Sequence, residues 1–198
     1  MKVAIIKYNS GNVQSVDYAL QRLGIQAEIT DDIQKINRAD KVIFPGVGEA
    51  SSTMKYLKDR KLDETIRDLK QPVLGICLGM QLLCSHSEEG DTSCIGIFPA
   101  KVRKFQPVND DHSIKVPHMG WNQIQDLKGS LFSGVSENAF VYFVHSYYVE
   151  SNEYESAKTD YILPYCSAQQ KDNFYAVQFH PEKSSGVGAQ ILKNFIEL

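Results

Sequence analysis

The chain has 198 residues, 42% of them hydrophobic and 23% charged, and a formal net charge of -3. That length suits one domain, residues 1–198, with a full core, and that composition excludes a disordered chain. The mild acidity argues against nucleic acid as a partner, and no apolar run approaches the length of a membrane span.

The opening, Met1-Lys2-Val3-Ala4-Ile5-Ile6-Lys7, is too short and too soon polar for a signal peptide. Lys2 to Ile6 instead reads as a first strand. Asn9-Ser10-Gly11-Asn12 reads as a turn that starts a helix. Val13, Val16, Ala19, Leu20 and Leu23 recur at helical spacing, and Gly24 ends that helix. Gln26 to Thr30 alternates as a second strand, and Asp31-Asp32 can cap a short helix through Ile36. Lys41 to Phe44 is a third strand, closed by Pro45-Gly46-Val47-Gly48. Helical stretches follow around Thr53–Leu57 and Leu62–Leu69. This alternation predicts an open, largely parallel α/β sheet with flanking helices. Active sites in such sheets lie at the carboxyl ends of the strands.

Pro72-Val73-Leu74-Gly75-Ile76-Cys77-Leu78-Gly79-Met80-Gln81 comes next. It reads as a buried strand, a Gly-X-Cys-X-Gly corner and an apolar helix, the thiol form of a nucleophile elbow. The flanking glycines leave room for a sharp turn that exposes the Cys77 sulfur. The first helix amides then favour a thiolate and can hold an oxyanion. The other cysteines are Cys84, Cys94 and Cys166; with no C-x-x-C pair, neither zinc nor dithiol redox chemistry is expected. Free thiols point to the reducing cytoplasm.

The second half changes character. Ala100–Phe105, Met119–Ile124, Phe140–Val149, Ile162–Gln169 and Phe174–Phe179 read as strands. Polar stretches such as Asn109-Asp110-Asp111 and Glu150-Ser151-Asn152-Glu153 separate them. They are expected to be antiparallel additions to the core sheet. Gly186 to Leu198 closes the chain as a helix with Val187, Ile191, Leu192 and Phe195 on its apolar stripe.

A thiol nucleophile needs a base. In Val177-Gln178-Phe179-His180-Pro181-Glu182, Gln178 and His180 share one side of a strand that Pro181 terminates. Glu182 can accept the proton on one imidazole nitrogen and leave the other to the thiol. Cys77, His180 and Glu182 therefore form the predicted triad. His86 and His112 read as loop residues. His145, in an aromatic strand, reads as a core histidine whose position could line the site.

Three motifs carry a specific resemblance: the elbow Gly75 to Gln81, the upstream Pro45-Gly46-Val47-Gly48, and Phe179-His180-Pro181-Glu182. In order and spacing the chain resembles the class I (triad) glutamine amidotransferases along nearly its whole length. Pro117-His118-Met119-Gly120-Trp121-Asn122 and Tyr142-Phe143-Val144-His145-Ser146-Tyr147 are similar to one branch. Its glutaminases feed a cyclase that makes imidazole glycerol phosphate for histidine biosynthesis.

The resemblance implies hydrolysis of L-glutamine to glutamate and ammonia through a thioester on Cys77, without cofactor or metal. It implies an oxyanion hole of backbone amides from Leu78 and from Val47 and Gly48. It implies substrate contacts from Gly46, Gln81, Glu89, His145, Ser146 and Tyr147. It also implies a heterodimer with a separate (β/α)8-barrel cyclase, since 198 residues leave no room for a barrel of about 250. Pro117, His118, Met119, Trp121 and Asn122 are the implied interface. Lys7 departs from the family, which commonly has an acidic residue there. Two alternatives stand beside this reading: a paralogue that supplies another synthase, and a non-catalytic regulator, against which a complete triad argues.

Overall fold

A computed structural model describes residues 1–8, 12–106 and 115–198. The expected turns at Asn9-Ser10-Gly11 and Asn109-Asp110-Asp111, and the loop residue His112, lie outside the described residues. The first half alternates as β1 (Val3–Ile6), α1 (Val13–Arg22), β2 (Ala27–Thr30), α2 (Ile33–Asn37), β3 (Lys41–Gly46), α3 (Ala50–Asp59), α4 (Leu62–Asp68), β4 (Val73–Cys77) and α5 (Leu78–Leu83). The second half runs β5 (Cys84–Ser87), β6 (Thr92–Ser93), β7 (Phe98–Lys104), β8 (His118–Ile124), β9 (Ala139–His145), β10 (Tyr147–Val149), β11 (Glu155–Asp160), β12 (Pro164–Lys171), β13 (Phe174–Val177) and α6 (Ser185–Glu197). No helix among the described residues is long and apolar enough to cross a membrane.

Local chemistry sets the helix boundaries. The buried face of α1 carries Val16, Ala19 and Leu20, and Gly24 follows its end at φ 74°, a conformation that glycine adopts without steric cost. Asp32 caps α2 by accepting from the amides of Gln34 and Lys35. Glu49 does the same for α3 through Ser51 and Ser52, so that helix starts three residues before the apolar pattern suggests.

The main sheet has the order β2-β1-β3-β4-β13-β12-β10-β7-β5-β6, with β11 added on β12. Strands β2, β1, β3, β4 and β13 are mutually parallel. From β13 onward, β12, β10 and β7 pair antiparallel. Alternation along the inner strands divides the core between the two faces. Val3 and Ile5 of β1 join one apolar cluster, and Ala4 and Ile6 join the other.

Four features depart from the expectation. β13, expected as an antiparallel addition, pairs in parallel with β4 and antiparallel only with β12. β8 and β9 do not extend the main sheet but pair with each other, from His118↔His145 to Ile124↔Ala139. The single strand expected over Phe140–Val149 is two strands, because the chain leaves this small ladder at Ser146 and enters the main sheet as β10. The polar segments of β5, β6 and β11 are strands as well; backbone pairing with β7 and β12 overrides their weak propensity, and His86 sits in β5 rather than in a loop.

The placement of β13 organises the site. The last strand of the chain lies beside β4 in parallel, with Val177 opposite Ile76. That register delivers the segment after β13 to the same sheet edge as the residue after Ile76.

Candidate active site

Cys77 is the corner between β4 and α5, at φ 55° and ψ -109°. For a residue with a Cβ this backbone costs about 1–3 kcal/mol, so the surroundings must hold it. The positive φ falls on Cys77 itself rather than on its flanking glycines. Those glycines act by close approach instead. A Cβ on Gly79 would fall on the carbonyl oxygen of Phe44, and one on Gly75 would lie 2.7 Å from Leu83 Cδ1. Helix α5 therefore lies directly on β3 and β4, and that contact fixes the corner. Gly46, opposite Cys77 in the ladder, is packed as tightly, 2.9 Å from Leu78 Cβ by the same measure. It supports the corner from behind and does not line the cleft in front of it.

His180 follows β13, and its main chain is held from both sides. Its amide donates to the carbonyl of Tyr142 at 2.9 Å, and its carbonyl accepts from Ser184 Oγ at 2.6 Å. Nδ1 lies 2.8 Å from Glu182 Oε1, and both side chains are wholly buried. The same oxygen accepts from Asn12 Nδ2 at 2.5 Å. Nε2 is buried with no hydrogen-bond partner among the described residues. Burial by itself would lower the affinity of His180 for a proton. The Cys77 sulfur in its thiolate form and the Glu182 carboxylate outweigh it and hold the imidazole above its ordinary range. This is an imidazole poised to carry a charge beside a sulfur.

The sulfur opens onto a cleft of about 330 Å³. Besides Cys77, the cleft is lined by Val47, Gly48 and Leu78, by Gln81 and Glu89, by Val144, His145, Ser146 and Tyr147, and by Pro117. Gly48 has φ 129° and open space around its Cα. Glu89 is half-buried; burial pushes its carboxyl up, although the amide of Ala50 donates to it at 2.8 Å. Gln81 is buried, and its Nε2 donates both to the carbonyl of Tyr147 and to Gln178 Oε1, each at 2.9 Å.

Of the expected substrate and oxyanion residues, Leu78, Val47, Gly48, Gln81, Glu89, His145, Ser146 and Tyr147 converge on this cleft, and Gly46 stands behind it. His145 lines the cleft and is also a bonded core residue. Its Nδ1 meets the Tyr147 carbonyl at 2.7 Å and its Nε2 the Tyr165 hydroxyl at 3.2 Å. Two polar residues at the site were not anticipated, Asn12 and Gln178. Asn12 carries no local signal. Gln178 shares its strand side with His180, which is the one cue the sequence offered.

The expected interface divides. Met119 and Trp121 are 63% and 51% exposed on β8, where a core strand would have buried them. Trp121 packs edge-on to Tyr142, the residue whose carbonyl holds His180. His118 departs from the expectation. It is 3% exposed, stacked between Phe143 and Tyr161, and bonded to Tyr165, because alternation along β8 turns it inward when Met119 faces out. Asn122 is half-buried, with Nδ2 donating to the Asp160 carbonyl. Lys7 is exposed at the end of β1.

Fold and site together define an α/β protein with a thiol, an imidazole and a carboxylate gathered at the carboxyl edge of a parallel sheet. The model of the class-I glutamine amidotransferase family matches residues 4–198. Among relatives, the imidazole glycerol phosphate synthase subunit HisH of Bacteroides fragilis (strain YCH46) is 60% identical over the full length of both chains. The protein of that name from Bacteroides thetaiotaomicron is 58% identical over the same span, and that of Haemophilus influenzae 46% over all of this chain and 98% of its own. The fold is similar to that of a putative GMP synthase component from Thermoplasma acidophilum, with TM-score 0.76 and 21% identity, covering 100% of this chain and 92% of that one. The chain belongs to the class-I glutamine amidotransferases and, within them, to the HisH subunits of imidazole glycerol phosphate synthase.

Proposed function

We propose that the chain, acting as one domain over residues 1–198, hydrolyses the side-chain amide of L-glutamine with Cys77, His180 and Glu182. The observation that carries this reading is the buried His180–Glu182 pair, held at 2.8 Å and interacting with Cys77, which lines the cleft. His180 takes the thiol proton, and the Cys77 sulfur attacks the amide carbon. The imidazolium then gives its proton to the leaving ammonia, leaving a thioester. Water, activated by the same imidazole, releases glutamate and restores the thiol. Glu182 stabilises the imidazolium and holds its tautomer. The amides of Leu78 and of the Val47–Gly48 segment are the donors for the oxyanion. Losing one such donor typically costs about 3 kcal/mol in the transition state.

The cleft chemistry suits an α-amino acid. Both protons on Gln81 Nε2 are committed, so the group it offers a ligand is its carbonyl oxygen, an acceptor for an ammonium. Glu89 supplies the matching charge. The ammonia passes to a cyclase partner, a separate (β/α)8-barrel protein, in the reducing cytoplasm. The exposed Met119 and Trp121 on β8 suit an interface with it.

The test is glutamate release from L-glutamine by the purified chain, on its own and with the cyclase. Cys77→Ala is expected to abolish release in both cases while the pair still co-purifies. Wild-type turnover by that variant would overturn the mechanism.

A further inference from the structure

Gln178 is a wholly buried carboxamide between the nucleophile and the wall of the cleft. Its amide donates to the Ser167 carbonyl at 2.8 Å, which fixes the backbone. Its side chain has two partners, Gln81 Nε2 at 2.9 Å and Cys77 Sγ at 3.6 Å. The orientation of that carboxamide can be deduced. The Tyr147 carbonyl only accepts, so the Gln81 atom facing it is the amide nitrogen. The same nitrogen faces Gln178, so Gln178 must turn its oxygen toward Gln81. Its NH2 is then left aimed at the sulfur. His145 Nδ1 donates to the same Tyr147 carbonyl at 2.7 Å and holds the anchor of this chain in place.

A carboxamide at this position could be mere filling. Two features argue otherwise. Each of its polar ends is committed in a definite sense, and a donor within reach of a sulfur stabilises the thiolate more than the thiol. The geometry points to Gln178 as a positioning residue for the reaction: its NH2 holds the Cys77 sulfur as a thiolate while its oxygen locks Gln81 in the orientation that faces substrate. This rests on the proposed glutaminase reading for Gln81, but the thiolate half does not need a substrate to be tested.

The titratable groups that interact with Cys77 are His180, backed by Glu182, after β13, and Tyr165 on β12; Glu89, His145 and Tyr147 line the same cleft. All of them remain in the variants that follow. The experiment is the rate of iodoacetamide alkylation of Cys77 against pH in the full chain, read by peptide mass mapping, beside steady-state kinetics with glutamine. Burial pushes Cys84 and Cys94 to about 12 and Cys166 well up, which keeps their alkylation in the background.

Gln178→Met keeps the volume and removes the donor. Its alkylation midpoint is expected to move up by about one pH unit, with about a tenfold slower reaction at neutral pH. Gln178→Glu keeps the acceptor for Gln81 and turns lone pairs to the sulfur. It is expected to lower kcat at least tenfold with KM for glutamine within about threefold, and to move the midpoint up as well. A wild-type midpoint in either folded variant overturns the proposal. If both variants move the alkylation midpoint up as expected but the wild-type chain does not turn glutamine over, the glutaminase reading fails and the thiolate role stands.

Discussion

Replacing Glu182 by glutamine removes one charge and no contact. Glu182 uses a single oxygen, Oε1, to accept from both His180 Nδ1 and Asn12 Nδ2. Its Oε2 is buried without a partner among the described residues. Asn12 Nδ2 can only donate, so a glutamine at 182 must keep its oxygen on that side. The imidazole therefore retains its tautomer and its aim. What disappears is the stabilisation of the imidazolium that forms when Cys77 gives up its proton. A hydrogen bond to a charged partner is worth about 1.5–3 kcal/mol against about 1 for a neutral one, which sets the lower bound near 1. The Coulomb attraction of two charges about 4 Å apart, at an effective dielectric of about 20, sets the upper bound near 4. Glu182→Gln should thus lower kcat/KM for glutamine roughly five- to a thousandfold. The pH profile should change too. Glu182 helps to hold His180 above its ordinary range, so its loss should move the imidazole's titration to lower pH. Glutamate release measured across pH, with the cyclase at saturation, checks both. Activity within threefold of wild type, with an unshifted profile, would refute the role given to the carboxylate.

Other outcomes follow from the same structure. Burial lowers His145 to about 3 and His118 to about 4, so both stay neutral in the fold while an unfolded chain protonates them near pH 6.5. The unfolded state binds more protons in that window, so stability must fall as pH drops from 6.5 toward 4. At pH 5 each histidine should remove about 2 kcal/mol, and a total loss under about 1 kcal/mol in urea titrations would contradict the burial argument. Gly79→Ala places a methyl group on the carbonyl oxygen of Phe44 and should lever α5 off β3. The expected cost is about 2–3 kcal/mol, seen as a Tm lower by roughly 5–10 °C, with loss of turnover. Trp121→Ala should leave Tm nearly unchanged, since the ring is 51% exposed, yet weaken cyclase binding about thirtyfold in titration calorimetry. Equal affinity for the two proteins would move the interface elsewhere.

Much of this was legible in the residues. The alternation of Val3 to Cys77 between periods of two and 3.6 is local, and it predicts strands and helices because backbone geometry alone sets those periods. The elbow and the His-Pro-Glu segment are local as well, since a proline that ends a strand and a thiol at a strand-to-helix turn need no distant partner. Pairing is not local. Val177 stands opposite Ile76 because β13, the last strand, is inserted beside β4, and nothing in either segment specifies that neighbour. The polar β11 is a strand only because β12 is there to bond it.

The sequence by itself determined which groups are available for chemistry: a thiol at a corner, an imidazole and a carboxylate two residues apart, and an aromatic strand that reads as core. Tertiary structure decided what each of them meets. It put the positive φ on Cys77 and gave the neighbouring glycines the task of close packing. It buried His118 and exposed Met119, since a strand must show one side to the core and the other to water. It brought Asn12 to Glu182 across 170 positions and Gln178 to Cys77 across 101. Contacts at such separations depend on how whole elements pack, and no window of sequence carries them.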